Sequence, residues 1–281
     1  MKSHKEISKF LLSRFSHPHL SRVQNGKPAK CVYCLLLKET IINNEQVLPF
    51  SIIEIAIDDL GVGQDYFSQT AENILAISES RMSNFCKKIT ALVENADDEK
   101  ISDYFNSSRA TIEKYLRYLG QRQTQTFNEI QHLYLGKPLT PSDLIIITSK
   151  IIQNKKNNKC GYEKYDFHLL YSKDKQQSFV AYETVLGMND YYPFFILPIS
   201  SYIAIQIVNK NIKPFCLTID IFNKMCLEYE LKNNKGFLVA EKKETLDELL
   251  LYLGGSGGKK KKVVLLHTTF RNDYSKYSAP K

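Results

Sequence analysis

A single long helix is the strongest structural signal in this sequence. Between residues 71 and 93, apolar side chains recur at steps of three, four and seven residues, which places them on one face of an α-helix. The stripe comprises Leu75, Met82, Phe85, Ile89 and Leu92. A helix with one apolar face has to bury it against another layer of structure. We therefore expect this helix to lie at the centre of a globular fold.

Two further helices are predicted after it. Asn106, Ser107 and Ser108 are suitable N-caps for a helix over 109–135, which Gly136 would close. The sequence Thr140-Pro141-Ser142-Asp143 supplies an N-cap, a proline at the first helical position and an acid in the first turn. The third helix then runs to a polar linker over 153–159.

Segments typical of β-strands flank the helical region on both sides. Before it, residues 31–42 and 47–57 are rich in β-branched and aromatic side chains. After it, the β-rich segments are 165–171, 178–185, 194–208 and 236–240. Helical segments are predicted in this second half at 217–231 and 245–253. This order predicts an α+β fold, with central helices and strands before and after them. We expect a single domain over 1–253, with a helical part at about 66–156 and a β-rich part at about 162–253. A Gly/Ser linker and a basic tail over 254–281 would follow.

The charge of the chain is concentrated at its two ends. The sequence carries a net charge of +8, yet residues 1–30 and residues 259–281 each hold seven basic side chains and one acidic side chain. Each end therefore carries +6, and residues 31–258 carry −4. This pattern predicts basic termini that contact a polyanion such as nucleic acid, and it argues against a basic groove across the fold.

The N-terminus and the cysteines indicate a cytoplasmic protein. Residues 5–15 alternate charged and apolar side chains, as in a short amphipathic helix, and they lack the uninterrupted apolar stretch of a signal peptide. The longest apolar candidate, 191–208, is interrupted by prolines and polar residues, so no membrane partner is expected. The six cysteines show no regular spacing and are predicted to be buried thiols.

Two sets of residues could carry chemistry. His17 and His19 with Cys31 and Cys34 are residue types that bind zinc. However, the two cysteines lie in an apolar β-rich run, where residues three apart point to opposite faces, so buried thiols are favoured. Glu72 and Glu79 share a helix face roughly 10 Å apart along the axis. There they would suit acid–base or metal chemistry, or would simply pair with neighbours such as Arg81.

Several known sequence motifs are missing from the chain. Gly61-Val62-Gly63 lacks the third glycine of a dinucleotide-binding fingerprint, and there is no Gly-Lys-Ser/Thr phosphate loop. No Gly-x-Ser-x-Gly elbow is present. These observations argue against dinucleotide-dependent, P-loop and serine-hydrolase functions.

An ordered series of segments resembles the bacterial domain of unknown function 4238 over roughly residues 4–241. The matching positions are His4, Leu11 and Phe15, then Tyr66, Glu72, Leu75 and Glu79, then the strand 195–200, Asn223 and the segment 235–239. Glu183 stands where the family has an aspartate. The resemblance implies a cytoplasmic bacterial α+β protein with no assigned reaction, and it singles out His4, Glu72 and Glu79.

These residues lead to one site hypothesis and two functions. We expect His4, Glu72 and Glu79 to line a polar pocket, joined by Glu183 or Asn223 from the second half. Such a group would suit a divalent metal or acid–base catalysis of phosphodiester hydrolysis. The first function is a nucleic-acid-associated effector or nuclease-like protein acting against mobile elements. The alternative is a non-enzymatic ligand-binding, protein-binding or sensor module.

Overall fold

The fold is α+β, as the order of segments predicts. The structure, a computed structural model, describes residues 2–4, 7–24, 27–42, 45–60, 62–64, 66–122, 140–153, 162–172, 177–182, 194–211, 218–232 and 236–254. Within those ranges no helix is long and apolar enough to cross a membrane.

A group of packed helices forms the centre of the fold. Its members are α2 (Gln69–Glu94), α3 (Asp98–Ser107), α4 (Arg109–Arg122) and α5 (Pro141–Gln153). Four of the five predicted stripe residues of α2 are buried, since Leu75, Met82, Phe85 and Ile89 are at most 2% exposed, and Leu92 is partly buried against the main core. Helix α2 contacts the other three, and α4 also packs on α5.

The starts of these helices follow the predicted capping signals, with one addition. Thr140 and Asp143 form a reciprocal cap at the start of α5: the Asp143 N–H donates to Thr140 Oγ1 at 3.2 Å, and the Thr140 N–H donates to Asp143 Oδ2 at 2.9 Å. Helix α4 begins at Arg109 as expected, and its predicted end near 135 lies outside the described residues. Helix α3, which we did not predict, is capped by Asp97, whose side chain accepts from the Lys100 N–H.

A five-stranded antiparallel sheet joins the first and last parts of the chain. Its strands are β2 (His17–Gln24), β3 (Lys27–Leu36), β6 (Ile52–Ala56), β9 (Ala181–Tyr182) and β12 (Phe237–Ala240). Strand β3 pairs with β2 and β12 along one edge and with β6 along the other. Because β12 pairs with β3, strands about 200 residues apart in sequence are direct neighbours.

A three-stranded antiparallel sheet lies against the helices. It consists of β8 (Tyr165–Tyr171), β10 (Phe194–Ser200) and β11 (Ile203–Asn209), with β11 in the middle. Arg109 of α4 ties the sheet to the helices, since its guanidinium donates to the Tyr162 and Tyr165 carbonyls and lies over the Phe167 ring. The predicted strand over 194–208 is therefore a tight hairpin of two strands.

The remaining elements are short or peripheral. They are β1 (Lys2–His4) paired with β7 (Val62–Gln64), β4 (Thr40–Ile42) paired with β5 (Glu45–Val47), the one-turn helix α1 (Lys9–Leu12), α6 (Ile219–Lys232) and α7 (Lys243–Tyr252). Helices α6 and α7 pack on each other and on β12.

The predicted amphipathic helix over 5–15 is wrong in extent. Among the described residues 7–15, only Lys9–Leu12 is helical, because its N-cap Ser8 makes no side-chain capping bond and the chain is already extended in β2 from His17. Its apolar residues are nevertheless buried, since Ile7, Leu11 and Phe15 are at most 3% exposed. Tertiary packing, and not helix length, holds this segment in place.

Candidate functional site

An open cavity of about 560 Å³ lies between the N-terminal segment and helix α2. The N-terminal segment contributes Lys9, Phe10 and Ser13, and α2 contributes Glu79. This volume falls within the range of small-molecule sites. The cavity thus places one of the predicted glutamates beside the segment that follows His4.

The floor of the cavity is made by two strands of the five-stranded sheet. Pro28 and Lys30 come from β3, and Ile57 and Asp58 follow directly after β6. The Ile57 N–H donates to the Lys30 carbonyl at 3.0 Å, which extends the β3–β6 pairing to this point. The floor is therefore fixed by backbone hydrogen bonds of the sheet.

The N-terminal wall is held by contacts on its far side. The Phe10 ring meets the edge of Tyr115 with ring centroids 5.5 Å apart, and the Ser8 hydroxyl lies 3.3 Å from the Tyr115 hydroxyl. Arg14 donates to the Cys86 carbonyl of α2 at 3.4 Å. These contacts hold the N-terminal segment against α2 and α4.

The cavity lining is electrically balanced. It holds two ammonium groups, Lys9 and Lys30, and two carboxylates, Asp58 and Glu79. Lys9 forms an ion pair with Asp58 across the opening between α1 and the sheet. The apolar part of the lining comes from Phe10, Pro28 and Ile57. Such a lining offers both signs of charge together with an apolar surface.

Glu72 occupies a different place from Glu79. It lies in the first turn of α2, next to the apolar group of Phe67, Leu75, Tyr118 and Ile145. The Ser68 N–H at this helix start donates to Ser142 Oγ of α5 at 2.7 Å, so two helix N-termini meet here. A carboxylate in this position is stabilised by the helix dipole. The start of the helix therefore explains a carboxylate at position 72 without a ligand. Glu72 is not among the residues lining the cavity.

The other predicted site residues are dispersed or lie outside the described parts. His4 lies on β1, where its backbone pairs with Val62 of β7, and Glu183 falls outside the described residues. Asn223 lies on α6 and is 5% exposed. Its Oδ1 accepts from the Val180 N–H at 3.0 Å, and its Nδ2 donates to the Ser178 carbonyl at 2.8 Å. Asn223 thus holds the chain before β9 against α6.

The four residues of the zinc hypothesis separate onto two faces of the sheet. Cys31 packs with Ala29 and Ala56, whereas Cys34 belongs to the main core, and both are fully buried. The predicted burial of the thiols is therefore confirmed for these two cysteines, and for Cys86 and Cys226 as well. Within the described residues, no group of three or more His, Cys, Asp or Glu side chains is arranged to hold a metal ion.

The two histidines instead share one carboxylate that sequence reasoning missed. His17 Nε2 lies 3.5 Å from Glu54 Oε1, and His19 Nε2 lies 3.2 Å from Glu54 Oε2. His17 also stacks on Tyr33, with ring centroids 4.6 Å apart. Burial and the nearby Glu54 and Glu244 carboxylates raise the pKa of the Tyr33 phenol. Alternation along β3 could have placed Cys31 and Tyr33 on one face, but the pairing of β2 and of β6 with β3 was needed to bring His17 and Glu54 to that face.

A second missed carboxylate lies inside the protein. Glu230 of α6 is fully buried, close to Tyr182 and Cys226. Burial, with a further contribution from Glu230, raises the pKa of both the Tyr182 phenol and the Cys226 thiol well above their ordinary values. The Tyr182 hydroxyl donates to the Ile196 carbonyl at 3.0 Å. Tyr182 is therefore a neutral phenol that links β9 to β10.

Comparisons with protein-family models, curated proteins and solved structures found no match to this chain. The resemblance to the domain of unknown function 4238 therefore stays a prediction.

Proposed function

We propose that this chain is a non-enzymatic module that binds a small ligand in the cavity between α1, α2 and the five-stranded sheet. The composition of the lining supports this proposal most directly. Two ammonium groups, two carboxylates and three apolar side chains face one space of about 560 Å³. Binding sites for small molecules combine an apolar surface with a few polar groups in this way.

The position of the cavity also supports a sensing role. Its walls come from the N-terminal segment, the strands β3 and β6, and the central helix α2. A ligand that contacts all of them adds interactions between elements far apart in sequence. Binding to the folded state alone raises the free energy of unfolding by about 2.7 kcal/mol at a ligand concentration one hundred times Kd. At about 2–4 °C per kcal/mol for a chain of this size, Tm rises by about 5–10 °C.

A thermal-shift screen tests this function. The purified chain is heated with separate solutions of amino acids, nucleotides, sugars and organic acids, and each hit is confirmed by calorimetric titration. We expect at least one class to raise Tm in a concentration-dependent way and to bind more weakly to Glu79→Gln. Glu99→Gln is the matched control, since Glu99 is exposed on α3 and does not line the cavity. The proposal fails if no class gives a shift, or if Glu79→Gln and Glu99→Gln bind every hit as the parent chain does.

A nucleic-acid-associated or nuclease-like function is the second candidate. One observation favours it: Lys9 and Lys30, both from the basic stretch 1–30, line the same cavity as Glu79. The basic residues 259–281 lie outside the described residues. Electrostatics does not favour this candidate at the cavity itself, because the Asp58 and Glu79 carboxylates offset the charge of the two lysines there.

Salt dependence and cleavage assays test the second candidate. Binding of a labelled single-stranded RNA or DNA is measured between 50 and 200 mM salt. A fall in affinity with rising salt is expected if lysines contact phosphates. Cleavage is then followed with Mg²⁺, Mn²⁺ and EDTA, with Glu79→Gln as the variant and Glu99→Gln as its control. Affinity that does not change with salt, together with intact oligonucleotide under all three conditions, rules this function out.

A further inference from the structure

We infer that the exposed face of helix α2 is an interface for the major groove of double-stranded DNA. This inference rests on the second candidate function, association with nucleic acid, and it adds the surface and the form of the nucleic acid. Ligand binding in the cavity does not exclude it, because the exposed face of α2 is a separate surface.

The ionised side chains on the exposed face of α2 are all cationic between residues 69 and 91. These side chains are Arg81, Lys87 and Lys88, and the other eight exposed positions in that stretch carry neutral side chains. Because residues 31–258 together carry −4, this face is a local cationic surface on a mildly acidic body. A surface of this sign attracts a polyanion such as nucleic acid.

The acidic residues of α2 lie off this face or already have partners. Glu72 and Glu79 are half-buried, and Glu94 is the last residue of the helix. Glu79 and Glu94 also have interaction partners within the protein. By contrast, within the described part of the chain neither Arg81 nor Lys87 forms an ion pair. At least two cations of the face are therefore available to a partner.

Spacing along α2 places four exposed side chains in one row. Ile77, Arg81, Asn84 and Lys88 follow one another at steps of four, three and four residues, so they share one side of the helix. The row rises about 16 Å, which corresponds to about five base pairs of B-DNA. An α-helix with its side chains is about 10–12 Å across, and the major groove of B-DNA is about 12 Å wide. The row therefore has the dimensions of a groove-binding surface.

The side chains of this row suit the edges of base pairs. A guanidinium such as that of Arg81 donates to two acceptors of guanine, and a carboxamide such as that of Asn84 pairs with adenine. The apolar Ile77 side chain suits the methyl group of thymine. The Lys88 ammonium lies 4.3 Å from the centroid of the Tyr104 ring, at the border with α3, where it suits a phosphate contact.

The same face is poorly suited to single strands and to RNA duplexes. Single-stranded nucleic acid is held largely by bases that stack on exposed aromatic rings, and the exposed positions of α2 carry no aromatic side chain. The major groove of an A-form RNA duplex is deep and too narrow for side chains to read. The row therefore favours duplex DNA.

The salt dependence of binding measures the phosphate contacts of this face. The full chain is titrated against a labelled DNA duplex between about 50 and 200 mM salt. Lys87→Met should make the slope of log K against log salt less negative by about 0.9, the contribution of one phosphate contact. The matched control Lys114→Met, exposed on α4, should leave the slope unchanged. The basic termini contribute equally to the parent chain, the variant and the control.

Two further measurements test entry into the groove. Arg81→Gln should weaken binding to a DNA duplex by about fivefold or more, and it should leave binding to an RNA duplex of the same sequence unchanged. Selection from a pool of random DNA duplexes should yield a preferred sequence for the parent chain. Asn84→Ala should lose about fivefold or more of the discrimination at one base pair. Circular dichroism confirms that each variant is folded.

The outcomes separate this interface from the second candidate function. If binding falls with rising salt but Lys87→Met and Lys114→Met share the slope of the parent chain, nucleic acid binds elsewhere and the interface is wrong. If Arg81→Gln weakens binding to DNA and RNA duplexes equally, or if selection yields no preferred sequence, the major groove is wrong. If no nucleic acid binds at any salt concentration, the second candidate function itself is overturned.

Discussion

Replacing Asn223 by alanine should destabilise the protein strongly, although the residue is polar and does not line the cavity described above. Asn223 satisfies the Val180 N–H and the Ser178 carbonyl. Both backbone groups belong to residues at most 1% exposed, so water cannot readily replace the lost amide. An unsatisfied buried polar group costs about 1–3 kcal/mol. Two such groups give an expected loss of about 2–6 kcal/mol in the free energy of unfolding.

Thermal and urea unfolding measure this loss. With about 2–4 °C of Tm per kcal/mol for a chain of this size, Tm should fall by about 4–24 °C in Asn223→Ala. The control is Asn73→Ala, because Asn73 also accepts a side-chain hydrogen bond, from Gln69 at 3.0 Å, but on the exposed face of α2. We expect Asn73→Ala to lower the free energy of unfolding by less than about 0.5 kcal/mol. If the two variants lose similar stability, the argument that Asn223 is a structural residue is refuted.

Three further predictions concern the helical region. Burial raises the pKa of the Cys86 thiol to about 12. Iodoacetamide at pH 8 should therefore label Cys86 in urea-unfolded protein but not in native protein, which peptide mapping by mass spectrometry measures. Labelling of the native protein at the rate of the unfolded protein would contradict this prediction. Thr140→Ala removes the N-cap of α5 and should cost about 1 kcal/mol at pH 7. The Thr140 N–H and hydroxyl lower the pKa of the Asp143 carboxyl in the folded protein. The contribution of Asp143 to the free energy of unfolding is therefore fully present above the ordinary Asp pKa of about 4. It is lost as the pH falls through the lower folded-state pKa. The difference in the free energy of unfolding between the parent chain and Thr140→Ala should therefore shrink below pH 4, as urea unfolding at a series of pH values would show. A difference that stays constant with pH would contradict this prediction. Phe85→Ala should lower the free energy of unfolding by about 3–5 kcal/mol. The control Ile77→Ala should lower it by less than about 0.5 kcal/mol, because the Ile77 side chain is 59% exposed. Equal losses in urea unfolding would contradict the burial of the apolar stripe.

The helices could be predicted because their signals are local. The stripe of α2 repeats every three or four residues, and the cap of α5 involves only Thr140 and Asp143. Helix α3 was missed although Ile101 and Phe105 are buried at helical spacing. The three polar residues 106–108 suggested only the start of the next helix, yet they also end α3. A single residue, Ser108, separates the two helices.

The candidate site was predicted only in part. Sequence reasoning selected Glu79, and the cavity brings Glu79 together with Lys9 and Phe10 of the N-terminal segment. It did not select Lys30 or Asp58, because no local pattern indicates that the ends of β3 and β6 lie beneath α1. Whether His4 and Glu183 take part stays a prediction.

Most of the helical and extended segments, and the residues that seek burial, could be recognised from the amino-acid sequence alone, because these properties depend on spacing and on capping within a few residues. Three results required the folded chain: β12 pairs with β3, Glu54 reaches His17 and His19, and Glu79 lines the same cavity as two lysines. These outcomes depend on pairing between strands far apart in the chain, whose register and partners are selected by the packing of the whole core. The charges that define the cavity therefore meet only when that core is complete.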